Sequence, residues 1–251
     1  MNIVILSQPR TGSNLISRLL GNFSPFRELN EFFMTEDDTT KIDQSHLQKN
    51  VFLSQSEFLF LKFLLKTDNE NFVKSVHADI NHTLKSLDEI IKHTKICKIQ
   101  NHQITEDQLE QLLDNPTLKF IVLERKDKLK QYASTLVIDQ IKQFFRVDTS
   151  DIRINIDPKQ FSNFKDRAEL WYINLKQKLK NKNINFLDLV YENDLEFIDE
   201  SKLLEKIKIW LDQEQIHYSE YTSRDLYYFK QNKTPIEETV LNYKELRSLL
   251  L

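Results

Sequence analysis

The sequence predicts an α/β fold, a mostly parallel sheet covered by helices, on three observations. Short β-prone apolar runs recur along the chain, longer amphipathic runs lie between them, and a glycine-bearing polar loop directly follows the first apolar run.

Ile3, Val4, Ile5 and Leu6 make the first of these runs, and residues 95–99, 119–123 and 185–190 make three more. Near-continuous apolar runs of this length are the form of parallel strands buried on both faces. Leu15, Ile16, Leu19 and Leu20 define a helix after the first strand. Leu129, Tyr132, Ala133, Leu136, Val137, Ile141 and Phe144 recur at helical spacing, as do Phe161, Phe164, Ala168, Trp171, Leu175 and Leu179. The most apolar stretch, 52–65, is interrupted by Glu57 and Lys62 and is too short to span a bilayer. It reads as a core helix or, failing that, a docking surface. Polar breaks at 36–44, 66–71 and 146–158 read as loops inside one domain covering residues 1–251. Near the C-terminus Thr234 as N-cap, Pro235 at the first helical position and Glu237 as the box partner predict a closing helix. Its apolar face is Ile236, Val240, Tyr243 and Leu250.

With 251 residues, 40% of them hydrophobic, the chain can bury a sizeable core. The formal charge of -3, from 35 basic and 38 acidic side chains, gives no global attraction for nucleic acid or anionic membrane. An anionic ligand must therefore be held by local positive charge. Cys97 is the only cysteine, which excludes an intramolecular disulfide and a cysteine-based zinc cluster and fits a reducing, cytoplasmic setting. It lies between apolar neighbours and reads as a buried structural thiol. The first residues lack the basic, long apolar pattern of a signal peptide, and no metal-ligand cluster stands out.

One of only two glycines lies in the run Gln8, Pro9, Arg10, Thr11, Gly12, Ser13, Asn14, between the first strand and its helix. A strand end leading into a helix N-terminus presents unpaired backbone N–H groups and the positive end of a dipole, which suit an oxyanion. Gly12 permits close backbone approach, Arg10 offers a bidentate fork, and Thr11, Ser13 and Asn14 add hydroxyl and amide groups. The nucleotide-triphosphate loop is not present, because its first Gly and its Lys are missing. The bland alternative is a turn in which Ser13 caps the helix.

A second run, Phe120 through Ser134, reads as a strand ending in the basic pair Arg125 and Lys126 and turning into an amphipathic helix. Arg125 would lie on the same sheet edge as the first loop, and Ser134 about two turns into the helix. Together the two runs resemble the PAPS-dependent sulfotransferases, most closely the bacterial carbohydrate sulfotransferases of nodulation-factor and trehalose type. The first is similar to their 5′-phosphosulfate loop, with Arg where the cytosolic branch usually has Lys. The second is similar to their 3′-phosphate motif.

Weaker similarity runs through Asn30, Glu31, Phe32 and Phe33, through Tyr191, Glu192, Asn193, Asp194 and Leu195, and through Asn242, Tyr243, Lys244, Glu245 and Leu246. The stretch 35–94 matches nothing in the family. Two departures stand out. Arg125 lies nine positions before Ser134 where the cytosolic branch has eight, which keeps Lys126 as a substitute for Arg125. An extra Asn interrupts the Tyr-Glu-Asp-Leu signature at 191–195, which therefore reads as structure.

The resemblance implies a P-loop-like three-layer fold and transfer of a sulfuryl group from 3′-phosphoadenosine 5′-phosphosulfate (PAPS) to an acceptor hydroxyl on a small molecule or glycan. It implies nucleotide contacts from Arg10, Thr11, Gly12, Ser13, Asn14, Arg125 and Ser134, with Arg10 also stabilising transition-state charge. Glu31 is the first candidate for the general base and His102 the second. Another P-loop-like nucleotide enzyme, or an inactive PAPS-binding module, remains as the alternative.

Overall fold

The computed structural model describes residues 2–29, 55–68, 71–141, 148–196, 200–222 and 234–247. Its centre is a five-stranded parallel sheet flanked by helices on both faces, a three-layer α/β fold. The strands are β1 (Asn2–Ser7), β3 (Arg27–Glu28), β4 (Lys95–Gln100), β5 (Leu118–Glu124) and β6 (Phe186–Val190), in the order β3-β4-β1-β5-β6. A separate pair, β2 (Phe23–Ser24) and β7 (Glu220–Tyr221), runs antiparallel.

The central strand β1 is buried throughout, as its unbroken apolar sequence requires. Ile5 is aligned with Lys98 of β4 on one side and with Ile121 of β5 on the other. Alternation divides the core. Ile3 and Ile5 pack with α1 (Ser13–Gly21), while Val4 and Leu6 join the opposite face. That opposite face is covered by α2 (Gln55–Leu64), α3 (Phe72–Ala78), α4 (Ile80–Ile90), α5 (Glu106–Leu113) and later α7 (Pro158–Asn181). On the first face α1 is joined by α8 (Glu200–Gln213), through Leu203, Ile207, Trp210 and Leu211. Between β5 and α7 comes α6 (Lys128–Ile141), which forms a third cluster with the start of α7 and the C-terminal segment.

The four predicted strands are present. In α2, Phe58 and Leu61 enter the core, while Leu59, Phe60 and Phe63 are exposed along its other side. The expected closing helix is instead two short ones, α9 (Ile236–Thr239) and α10 (Tyr243–Arg247), interrupted where Val240 bridges Ile154. Pro235 occupies the N-cap, and the Thr234 hydroxyl donates to the Ser150 carbonyl (2.8 Å) rather than accepting from the helix. The segment still packs back on the core: Val240 and Leu246 are buried against Leu129, Ala133 and Phe161. Leu250 lies outside the described residues. Cys97 is fully buried, which pushes its thiol up to about 12, as befits a structural group. No helix among the described residues is long and apolar enough to cross a membrane.

Candidate anion site at the sheet mouth

From β1 the chain leaves towards β4 and β3, whereas from β5 it leaves towards β6. The adjacent carboxyl ends of β1 and β5 therefore diverge, the switch point at which open α/β sheets form their ligand crevices. Both motifs singled out in the sequence sit there.

In the first loop, Gly12 is the N-cap of α1 with φ 87°, and no side chain caps this helix. Ser13 is thus its first residue rather than its cap. The backbone N–H groups of Gly12, Ser13 and Asn14 donate to no described residue, which leaves an uncapped, positively polarised helix start. A methyl at Gly12 would lie 3.0 Å from both Leu195 Cδ2 and Tyr191 Cδ2. Glycine is required here by conformation and by space together. Arg10 also adopts a left-handed backbone, φ 63°, which is uncommon outside glycine. Its Nε donates to Ser134 Oγ (2.9 Å), joining the two motifs directly. Thr11 Oγ1 donates to the Gln8 carbonyl (2.9 Å), so its hydroxyl closes the loop.

Arg125 lies against the same loop, donating from Nη1 to the Arg10 carbonyl (3.2 Å) with its guanidinium 4.5 Å from the centre of the Tyr191 ring. Its buried Nε makes no hydrogen bond among the described residues, and Glu192 Oε1 is 3.9 Å away. A buried guanidinium N–H without an acceptor and a row of uncapped backbone N–H groups are what an oxyanion would satisfy. Lys126, the substitute candidate, points elsewhere: its side chain is 60% exposed and pairs with Glu124 (2.8 Å).

The run 191–195, one residue longer than the signature it resembles, closes as a π-helical turn, with Glu196 N–H donating to the Tyr191 carbonyl (2.8 Å). The extra residue is absorbed there, and Tyr191 and Leu195 both remain packed on Gly12. Glu192 accepts from the backbone N–H groups of Lys126 and Asp127 (2.9 Å each), so a carboxylate from this turn caps the approach to α6.

Three supports were not singled out in the sequence. Lys98 is fully buried on the α1 side of β4 and donates from Nζ to Asn14 Oδ1, which puts an ammonium beneath the loop. Strand alternation carried that signal, since Lys98 shares a face with the buried Ile96. Tyr172 of α7 donates to the Leu123 carbonyl (2.7 Å) and accepts from Gln8 N–H (3.1 Å). Gln131 of α6 donates to the Pro9 carbonyl (2.8 Å). Neither polar residue can be located by periodicity alone.

Below the second motif, the buried Glu124 is paired with Lys126, with Lys176 (3.0 Å) and with Lys128 (3.6 Å). Burial pushes its carboxyl up, but hydrogen bonds from Lys126 and Lys176 outweigh that and hold it below the usual carboxylate value.

The structure thus brings together Arg10, Thr11, Gly12, Ser13, Asn14, Arg125 and Ser134. His102 is exposed and lines a groove that also includes Gln8 and Pro9 at the edge of the loop. Glu31 and the segment around it lie outside the described residues. Among the described residues no group of three His, Cys, Asp or Glu could hold a metal ion. No family model matches the chain, and a search of curated proteins finds no match either.

Proposed function

We propose that the chain is a sulfotransferase that uses PAPS as its donor, a reading carried by one observation. The first loop and the strand-end motif form one cationic cluster, with Arg10 on Ser134 and Arg125 on the Arg10 carbonyl, at the switch point of a parallel sheet. Such a cluster suits a nucleotide bearing anionic groups at two places better than a triphosphate, whose loop requires a lysine absent from this one.

Bound PAPS would supply the sulfuryl group, and its transfer asks the protein for positive charge at the oxygens where charge builds. Arg10 and the N–H groups of Gly12, Ser13 and Asn14 answer that demand, with Lys98 adding charge from beneath. Arg125 and Ser134 are assigned to the 3′-phosphate. The acceptor hydroxyl needs a base, and Glu31 and His102 keep that role in the proposal, Glu31 first. A cytoplasmic setting belongs to the same proposal.

The test compares adenosine 3′,5′-diphosphate with adenosine 5′-phosphate by thermal shift and calorimetry. The diphosphate is expected to stabilise the protein more. Arg125→Ala should remove the difference, a loss of roughly tenfold or more in affinity for a charge-assisted contact. Equal responses to the two nucleotides in the unaltered protein would end the PAPS reading. An acceptor screen with labelled PAPS then measures transfer directly.

A further inference from the structure

Beside the anion loop lies a groove of ≈ 480 Å³, with Pro9 on the wall it shares with the loop and one face of α7 opposite. Its chemistry is uneven. Tyr132 and Phe164 form an aromatic pair with ring centres 4.8 Å apart, a platform for the C–H face of a ring. Asn101 and Asn163 add amides, each able to donate and accept. Among the described residues the lining contains no carboxylate, and apart from His102 its only basic group is Arg167, which makes no hydrogen bond or ion pair there. The nearby Asp157 is engaged, accepting from Gln160 N–H at the start of α7 (2.8 Å).

A surface guanidinium usually finds a carboxylate partner on its own helix or solvent alone. Here it lines a concave wall with amides and a ring platform, and the carboxylates close enough to act on the Tyr132 hydroxyl, Asp157 and Asp139, are not among the described lining residues. We infer that this groove seats the acceptor, and that the acceptor is a polyhydroxylated ring carrying an acid group, a uronate-type sugar. Arg167 reads the acid, the two asparagines read hydroxyls, and the Tyr132–Phe164 pair lies under the ring. The inference rests on the sulfotransferase reading for the word acceptor, but the binding chemistry stands apart from it.

The experiment titrates the full chain with methyl β-glucuronide and with methyl β-glucoside by ligand-detected NMR and calorimetry, in the unaltered protein and in Arg167→Gln. Adenosine 3′,5′-diphosphate is titrated in parallel. The expected result is a preference for the glucuronide of about fivefold to tenfold, the scale of one charge-assisted contact in a partly open site. That preference disappears in Arg167→Gln, while the nucleotide response and the unfolding temperature are retained. Equal affinity for the two glycosides, binding of neither, or a preference that survives Arg167→Gln overturns the inference whatever the nucleotide does. Glucuronide binding that depends on Arg167 without any nucleotide response supports the groove as an acid-sugar site and overturns the sulfotransferase proposal instead.

Discussion

Replacing Gly12 by alanine tests the loop geometry most directly. The residue has φ 87°, and for an L side chain a left-handed conformation costs about 1–2 kcal/mol. The added methyl would stand 3.0 Å from Leu195 Cδ2 and from Tyr191 Cδ2, closer than ordinary carbon contacts, and overpacking of this kind costs about 1–3 kcal/mol. Against these stands a gain of about 0.4–1 kcal/mol from the stiffer unfolded chain. The net expectation is a loss of about 1–5 kcal/mol. Because the Arg125 guanidinium lies on the Tyr191 ring, relief of the clash by moving that ring should also weaken binding of adenosine 3′,5′-diphosphate. Urea unfolding measures the first effect and calorimetry the second. Gly21→Ala, in the same helix, is the control: its methyl would meet nothing nearer than 3.6 Å, and helix propensity favours alanine by about 0.5–1 kcal/mol. If Gly12→Ala unfolds at the same urea concentration as Gly21→Ala, the account of the loop is wrong.

Glu192→Ala removes the carboxylate that accepts from Lys126 and Asp127 N–H. It should cost about 1–2 kcal/mol in urea unfolding, in the range of a lost helix cap, with Glu192→Gln losing less; no change in either variant would deny the carboxylate its capping role. Glu124 is held below its ordinary pKa, so its stabilisation is fully present above about pH 4.3 and fades as the pH falls through that value and on through the lower folded pKa. Urea midpoints measured between pH 7 and pH 3 should therefore fall less steeply in Glu124→Gln than in the unaltered protein, and parallel curves would count against this linkage.

Much of the fold was legible because buried parallel strands leave unbroken apolar runs. Ile3, Val4, Ile5 and Leu6 read as a strand buried on both faces with a loop at its carboxyl end, whereas its place in the middle of the strand order was set by pairing that the sequence does not show. Arg10 and Arg125 could be paired from the sequence by their shared edge, but the side-chain contact that joins the motifs could not, since it depends on the left-handed turn at Arg10. Alternation places Lys98 on the face it shares with Ile96, towards α1, but its contact with Asn14 could not be read from the strand pattern. The C-terminal segment carried a helix-start pattern, yet the bridge between Val240 and Ile154 prevailed over local propensity and divided it. The 191–195 run was ambiguous in sequence, because it is one residue longer than the signature it resembles, and only the wider π-helical turn shows how five residues are accommodated there.

The Tyr172 hydroxyl touches both walls of the sheet mouth, accepting from the residue that follows β1 and donating to the end of β5. It works as a tie bar. The ends of β1 and β5, already paired as far as Ser7 and Leu123, are joined once more by a ring anchored in α7. Burial pushes the phenol far above its ordinary titration range, so the bar keeps its proton, and its hydrogen bond to Leu123, at neutral pH and well above it. The end of β1 and the end of β5 therefore cannot part at the sheet mouth without losing these two hydrogen bonds, so the loop and the strand-end motif keep their relation before any ligand arrives.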